Sequence, residues 1–125
     1  MRIICVYVCR LLLYLYRVKI RIFYETLCPG SIDFFVKELR PVVELFSPHL
    51  DLDLIPYVSG RYSFQCQHGP DECYGNRVHA CVIDELRNNT KAAIFNSCLM
   101  KCTRFLRSHG ISYMTFVNWV RYLCN

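Results

Sequence analysis

Residues 18–31 read VKIRIFYETLCPGS, and this stretch sets the architecture of the chain. Val18, Ile20 and Ile22 alternate with Lys19 and Arg21 and run into Phe23 and Tyr24, a β-branched and aromatic pattern that predicts a strand. Thr26-Leu27-Cys28-Pro29-Gly30 ends it. From Ser31 onward Ile32, Phe35, Val36, Leu39, Val43 and Phe46 recur at helical spacing. Pro41 is expected to kink that helix, because it lacks an amide proton and crowds the preceding turn, and Pro48 to end it. Leu50, Leu52 and Leu54 then alternate with Asp51 and Asp53, a second strand leading to Ile55-Pro56-Tyr57. The order is β-α-β, whose usual outcome is a parallel pair joined by a right-handed crossover. Cys28 falls where strand becomes helix. Free amide protons and the positive end of the helix dipole favour a thiolate there, which makes Cys28 the candidate nucleophile.

Further along, residues 66–81 read CQHGPDECYGNRVHAC. Helices are expected over Glu72 to Leu86, with Gly75-Asn76 weakening the start, over Ala92 to Leu106, and over Met114 to Leu123. Nine cysteines in 125 residues suggest an oxidising compartment. Cys5 and Cys9 lie in the apolar N-terminal segment. Beyond Cys28 there remain Cys66, Cys73, Cys81, Cys98, Cys102 and Cys124, enough for three structural disulfides whose connectivity the sequence leaves open. Cys66, His68, Cys73, His79 and Cys81 include the donor types of a zinc site, but they lack its paired short spacing, and no metal is expected. His68, before Gly69, reads as a turn residue with a local hydrogen bond. Glu72 reads as a helix cap or the partner of an arginine.

The segment 66–81 resembles the signature of the gamma-interferon-inducible lysosomal thiol reductase (GILT) family. Cys66, Gln67, His68, Gly69, Glu72, Cys73, Asn76 and Cys81 match it position by position. Tyr24-Glu25, Leu27-Cys28-Pro29, Phe35 and Leu39-Arg40-Pro41 are similar to the family's active-site strand and first helix, and Ile55-Pro56-Tyr57 to its second strand. The resemblance spans about Val18 to Cys102. It implies an α/β, thioredoxin-like fold with an incomplete β-α-β core and a disulfide-rich helical insertion. The domain would cover 17–125, with the cysteine-rich insertion at about 61–125. It also implies a thiol–disulfide oxidoreductase acting on unfolded or partly denatured disulfide-containing proteins, secreted or lysosomal.

Two departures qualify that implication. The usual Cys-x-x-Cys is here Cys28-Pro29-Gly30-Ser31, so no internal thiol would release a mixed disulfide formed at Cys28. Ser31 would support the thiolate, and an external thiol such as cysteine or glutathione would complete turnover, with no other cofactor. The chain is also read as carrying only the first half of a thioredoxin sheet, without the later strand that a cis-proline precedes in the family. The rival reading is a disulfide-stapled binding or interaction protein on the same scaffold, weak or inactive in catalysis, or a fragment of a longer thiol reductase.

Residues 1–16, MRIICVYVCRLLLYLY, are apolar apart from Arg2 and Arg10. They fall short of the roughly 20 apolar residues a membrane span needs and read as a secretory leader. The net charge of +5 is scattered rather than gathered, and no recognition motif accompanies it, so no nucleic-acid partner is expected. Asn88-Asn89-Thr90 is an N-glycosylation sequon at Asn88.

Overall fold

The computed structural model describes residues 16–57, 65–112 and 115. The proposed leader, Cys5, Cys9, the helix expected over Met114 to Leu123 and Cys124 lie outside them. Strand β1 (Val18–Tyr24) is followed by a continuous helical run: α1 (Pro29–Asp33), a π-turn (Phe34–Leu39) and α2 (Arg40–Phe46). A 3₁₀ turn (Ser47–His49) leads to β2 (Leu50–Pro56), and two longer helices follow, α3 (Pro70–Leu86) and α4 (Asn89–Ser108). The strands pair in parallel from Val18↔Leu50 to Tyr24↔Pro56, as the β-α-β order predicts. The molecule is mixed α/β, its sheet reduced to two strands among the described residues.

Alternation decides which side of the sheet is covered. Ile22, Tyr24, Leu50, Leu52 and Leu54 are buried and join Ile32, Phe35, Leu39, Val43, Ala92, Ala93 and Met100 in one core. On the opposite face Arg21 donates through Nε to Asp53 Oδ2 at 2.7 Å, a cross-strand pair in register. Phe23 stands 72% exposed on that side, so the helices form a single layer over one face.

Pro41 produces a wide turn rather than a break. The Arg40 amide donates to the Phe35 carbonyl, five residues back, immediately ahead of the proline. The π-turn precedes the position where an amide is missing and a ring would crowd the ladder, and the helix continues to Phe46.

Helix α3 starts earlier than its apolar spacing suggests. Gly69, at φ 90°, makes the entry turn, Pro70 occupies the first turn, and Asp71 and Glu72 complement the helix dipole. Gly75 and Asn76 are therefore buried inside the helix rather than fraying its start. Arg87, left-handed at φ 47°, caps the far end, its amide donating to Ile83 O at 3.2 Å. Asn88 then opens α4: its Oδ1 accepts the Lys91 amide at 3.0 Å and the Thr90 hydroxyl at 2.7 Å.

Candidate active site around Cys28

Cys28 is the N-cap residue of α1, with an extended backbone at φ −67° and ψ 121°. Its carbonyl accepts the Ile32 amide at 3.0 Å, which starts the helix. The thiol is free and half-buried. A Cβ added at Gly30 would stand 3.9 Å from Cys28 Sγ, so the sulfur lies back over the first turn. The Ser31 hydroxyl accepts the Glu25 amide at 3.3 Å, and no Ser31–Cys28 hydrogen bond occurs among the described residues. Ser31 thus ties the end of β1 to the helix, a role different from the thiolate support expected of it.

The segment leading to Cys28 is anchored from behind by the signature residues. Thr26 and Leu27 are buried. The Thr26 amide donates to Asn76 Oδ1 at 2.9 Å, and the Thr26 hydroxyl donates to the Glu72 carbonyl at 3.3 Å. The Glu72 carboxylate is fully buried. It accepts the His68 amide at 3.1 Å and lies 2.6 Å from His68 Nδ1. Cys66 and Cys73 form a disulfide that brackets this turn, their Cα atoms 5.5 Å apart. Gly69 supplies the positive φ the loop requires, and Gln67 is exposed. Of the signature's polar side chains, Asn76 therefore holds the approach to Cys28 and Glu72 holds His68, while Glu72 meets Thr26 through its backbone carbonyl. His68 is a partner in a local hydrogen bond, as its sequence context predicts. Glu72 pairs with that histidine rather than with an arginine.

Deeper in, a second buried polar cluster joins Tyr24, Asn96 and His79, the last weighed from the sequence only as a zinc donor. The Asn96 amide donates to the Tyr24 hydroxyl at 3.3 Å, and that hydroxyl lies 3.2 Å from His79 Nδ1. With Asn96 as donor, the tyrosine proton is free for Nδ1, which suits a neutral imidazole. Burial pushes the His79 pKa down to about 3. His79 Nε2, Asn96 Oδ1 and Asn76 Nδ2 are buried without protein partners among the described residues. Nothing in the spacing of Tyr24, His79 and Asn96 announces this triad. Only the fold brings them together.

The remaining cysteines lie elsewhere. Cys81 and Cys98 are exposed free thiols, and Cys102 is a half-buried one. Arg40 donates through Nη1 to Cys98 Sγ at 3.2 Å and through Nε to Glu44 at 2.8 Å. The zinc set weighed from the sequence is not assembled: Cys66 and Cys73 are bonded to each other, Cys81 is exposed, and His79 is buried against Tyr24. Asn88, the sequon asparagine, is exposed at the head of α4. No helix among the described residues is long and apolar enough to cross a membrane.

Comparison with known proteins agrees with this geometry. Residues 19–112 match the family described as gamma interferon inducible lysosomal thiol reductase (GILT). A gamma-interferon-inducible lysosomal thiol reductase-like protein of Anopheles gambiae is 38% identical over 81 residues, covering 59% of this chain and 34% of its own length. GILT-like protein 1 of Drosophila melanogaster is 35% identical over 102 residues, 68% of this chain and 41% of the relative. The gamma-interferon-inducible lysosomal thiol reductase of Mus musculus is 37% identical over 76 residues, 55% of this chain and 31% of the relative. The matches thus span about a third to two fifths of those relatives' lengths. The chain belongs to the GILT family.

Proposed function

We propose that the chain carries out thiol–disulfide exchange on protein disulfides through Cys28. The observation that carries this reading is the anchoring of the Thr26–Cys28 segment by Asn76 and Glu72, which presents a free, half-buried thiol at the head of a helical run. The Cys28 thiolate attacks one sulfur of an exposed substrate disulfide. A mixed disulfide forms, and the second substrate sulfur leaves as a thiolate. Ser31 offers no sulfur, so an external thiol such as cysteine or glutathione attacks the Cys28–substrate bond, frees Cys28 and becomes disulfide-linked to the substrate. A second external thiol then completes the reduction of the substrate. The substrates are unfolded or partly denatured proteins met outside the cell or in lysosomes. The parallel β-α-β unit with its nucleophile at the strand–helix junction fits a thioredoxin-like core.

The test is trapping. Oxidatively folded protein is mixed with a denatured disulfide-containing protein, and the adduct is mapped by mass spectrometry. Adduct at Cys28 that persists until cysteine is added, together with faster turnover in Ser31→Cys, supports exchange chemistry. Adduct confined to Cys81 or Cys98, or none at all, leaves the rival reading of a binding scaffold, which the serine at position 31 favours.

A further inference from the structure

Three side chains converge just ahead of Cys28. Glu25 follows β1, His68 lies in the turn bracketed by the Cys66–Cys73 disulfide, and Glu72 stands in the first turn of α3. One donor atom from each lies within 4.8 Å of the others. We infer that Glu25, His68 and Glu72 form a zinc-binding site.

Charge is the first argument. Two carboxylates approach each other, one of them fully buried, and no lysine or arginine forms an ion pair with either among the described residues. The Glu25 carboxylate has no hydrogen-bond or ion-pair partner at all among those residues, although it is half-buried beside Glu72. Among the described residues only His68 can offset this charge, and it is bonded to Glu72 alone, so a divalent cation would be needed to join both carboxylates.

Donor chemistry is the second. Glu72 spends two of its lone-pair positions on His68 and keeps the rest. Zinc would displace the proton shared by His68 Nδ1 and Glu72 Oε2, which lie 2.6 Å apart, and take those two atoms together with an oxygen of Glu25. One imidazole and two carboxylates suit Zn²⁺, with a fourth position open, whereas Ca²⁺ and Mg²⁺ take all-oxygen sets. Cys66 and Cys73 cannot compete as ligands while bonded to each other. Sequence reasoning overlooked the site because its metal search began from cysteines, and Glu25 is far from 66–81 in the chain. The bound ion would link the end of β1 to α3, on the segment that leads into Cys28.

The experiment is calorimetric titration of ZnCl₂ into the oxidatively folded, chelator-treated chain after its free thiols have been alkylated. One-to-one binding is expected, weakened roughly tenfold or more in Glu25→Gln and in His68→Ala, in keeping with the sensitivity of metal sites to their carboxylates. Glu25→Gln is the decisive variant, because that side chain holds no other group in place, whereas loss of the buried Glu72 would disturb folding. Cys28→Ser should bind zinc normally, so the site stands or falls apart from the exchange chemistry. Absence of saturable binding, unchanged affinity in Glu25→Gln, or binding that disappears on thiol alkylation would overturn the assignment.

Discussion

The two ends of the core are built on different principles. Away from Cys28, Leu39, Val43, Leu50 and Leu52 are buried in the apolar core with Ala92 and Ala93. At the Cys28 end, Tyr24, Thr26, Glu72, Asn76, His79 and Asn96 are equally buried but are joined by hydrogen bonds. Phe35 lies between, its ring centroid 4.4 Å from that of Tyr24. An apolar end gains stability from volume filled and is indifferent to pH. A polar end gains direction, because each bond fixes a particular group, and it is exposed to changes in protonation. Cys28, the proposed nucleophile, is mounted on the directed end.

Removing the ring that joins the two ends should have the largest effect. Phe35 is fully buried, and Phe35→Ala should cost about 3–5 kcal/mol in urea unfolding of the oxidised chain. The loss should be the same at pH 5 and pH 7. A strong pH dependence of that cost would show that the two ends are not separable.

Asn76→Ala should be milder in stability and sharper in function. It strands the buried Thr26 amide, at about 1–3 kcal/mol, and frees the segment before Cys28. Mixed-disulfide formation at Cys28 should slow in the folded variant while alkylation of exposed Cys81 is unchanged. Equal change at both thiols would mean the network holds the fold generally rather than the site.

The gentlest test is pH. An unfolded histidine titrates near 6.5, whereas buried His79 takes its proton only near 3. Between those values the unfolded chain binds a proton the native chain refuses, so stability falls as pH falls. Its contribution is intact above pH ~6.5 and is lost at about 1.4 kcal/mol per pH unit down to about pH 3. Urea midpoints measured from pH 7 to 5 should show this slope, and His79→Gln should flatten it. An unaltered slope would place the titration elsewhere.

The aliphatic end was legible in the sequence because burial there follows period. Leu50, Leu52 and Leu54 alternate, and Ile32, Phe35, Leu39 and Val43 recur, whatever surrounds them. The polar end was legible only in part. Cys28 could be placed from the strand–helix junction, and Glu72 and Asn76 from the signature, but what they hold is Thr26, some fifty residues away and unremarkable in its own context. Tyr24 could be read as a strand residue, but its bond to Asn96 exists only once β1 and α4 are docked. The π-turn before Pro41 belongs to the same class: proline announced a disturbance, and the form it took depended on how the helix packs.

On the exchange mechanism proposed above, the Cys66–Cys73 bond would face a hazard peculiar to a protein that borrows its reductant. Any small thiol able to clear Cys28 can also attack the protein's own staple. Cys73 is only 8% exposed, whereas Cys66 is half-buried, so an incoming thiol has one accessible sulfur instead of two. Should that sulfur be taken, Cys73 must depart as an anion into a buried position, a poor leaving group there. Recycling and self-damage would then share a reagent, and the asymmetry in burial would separate their rates.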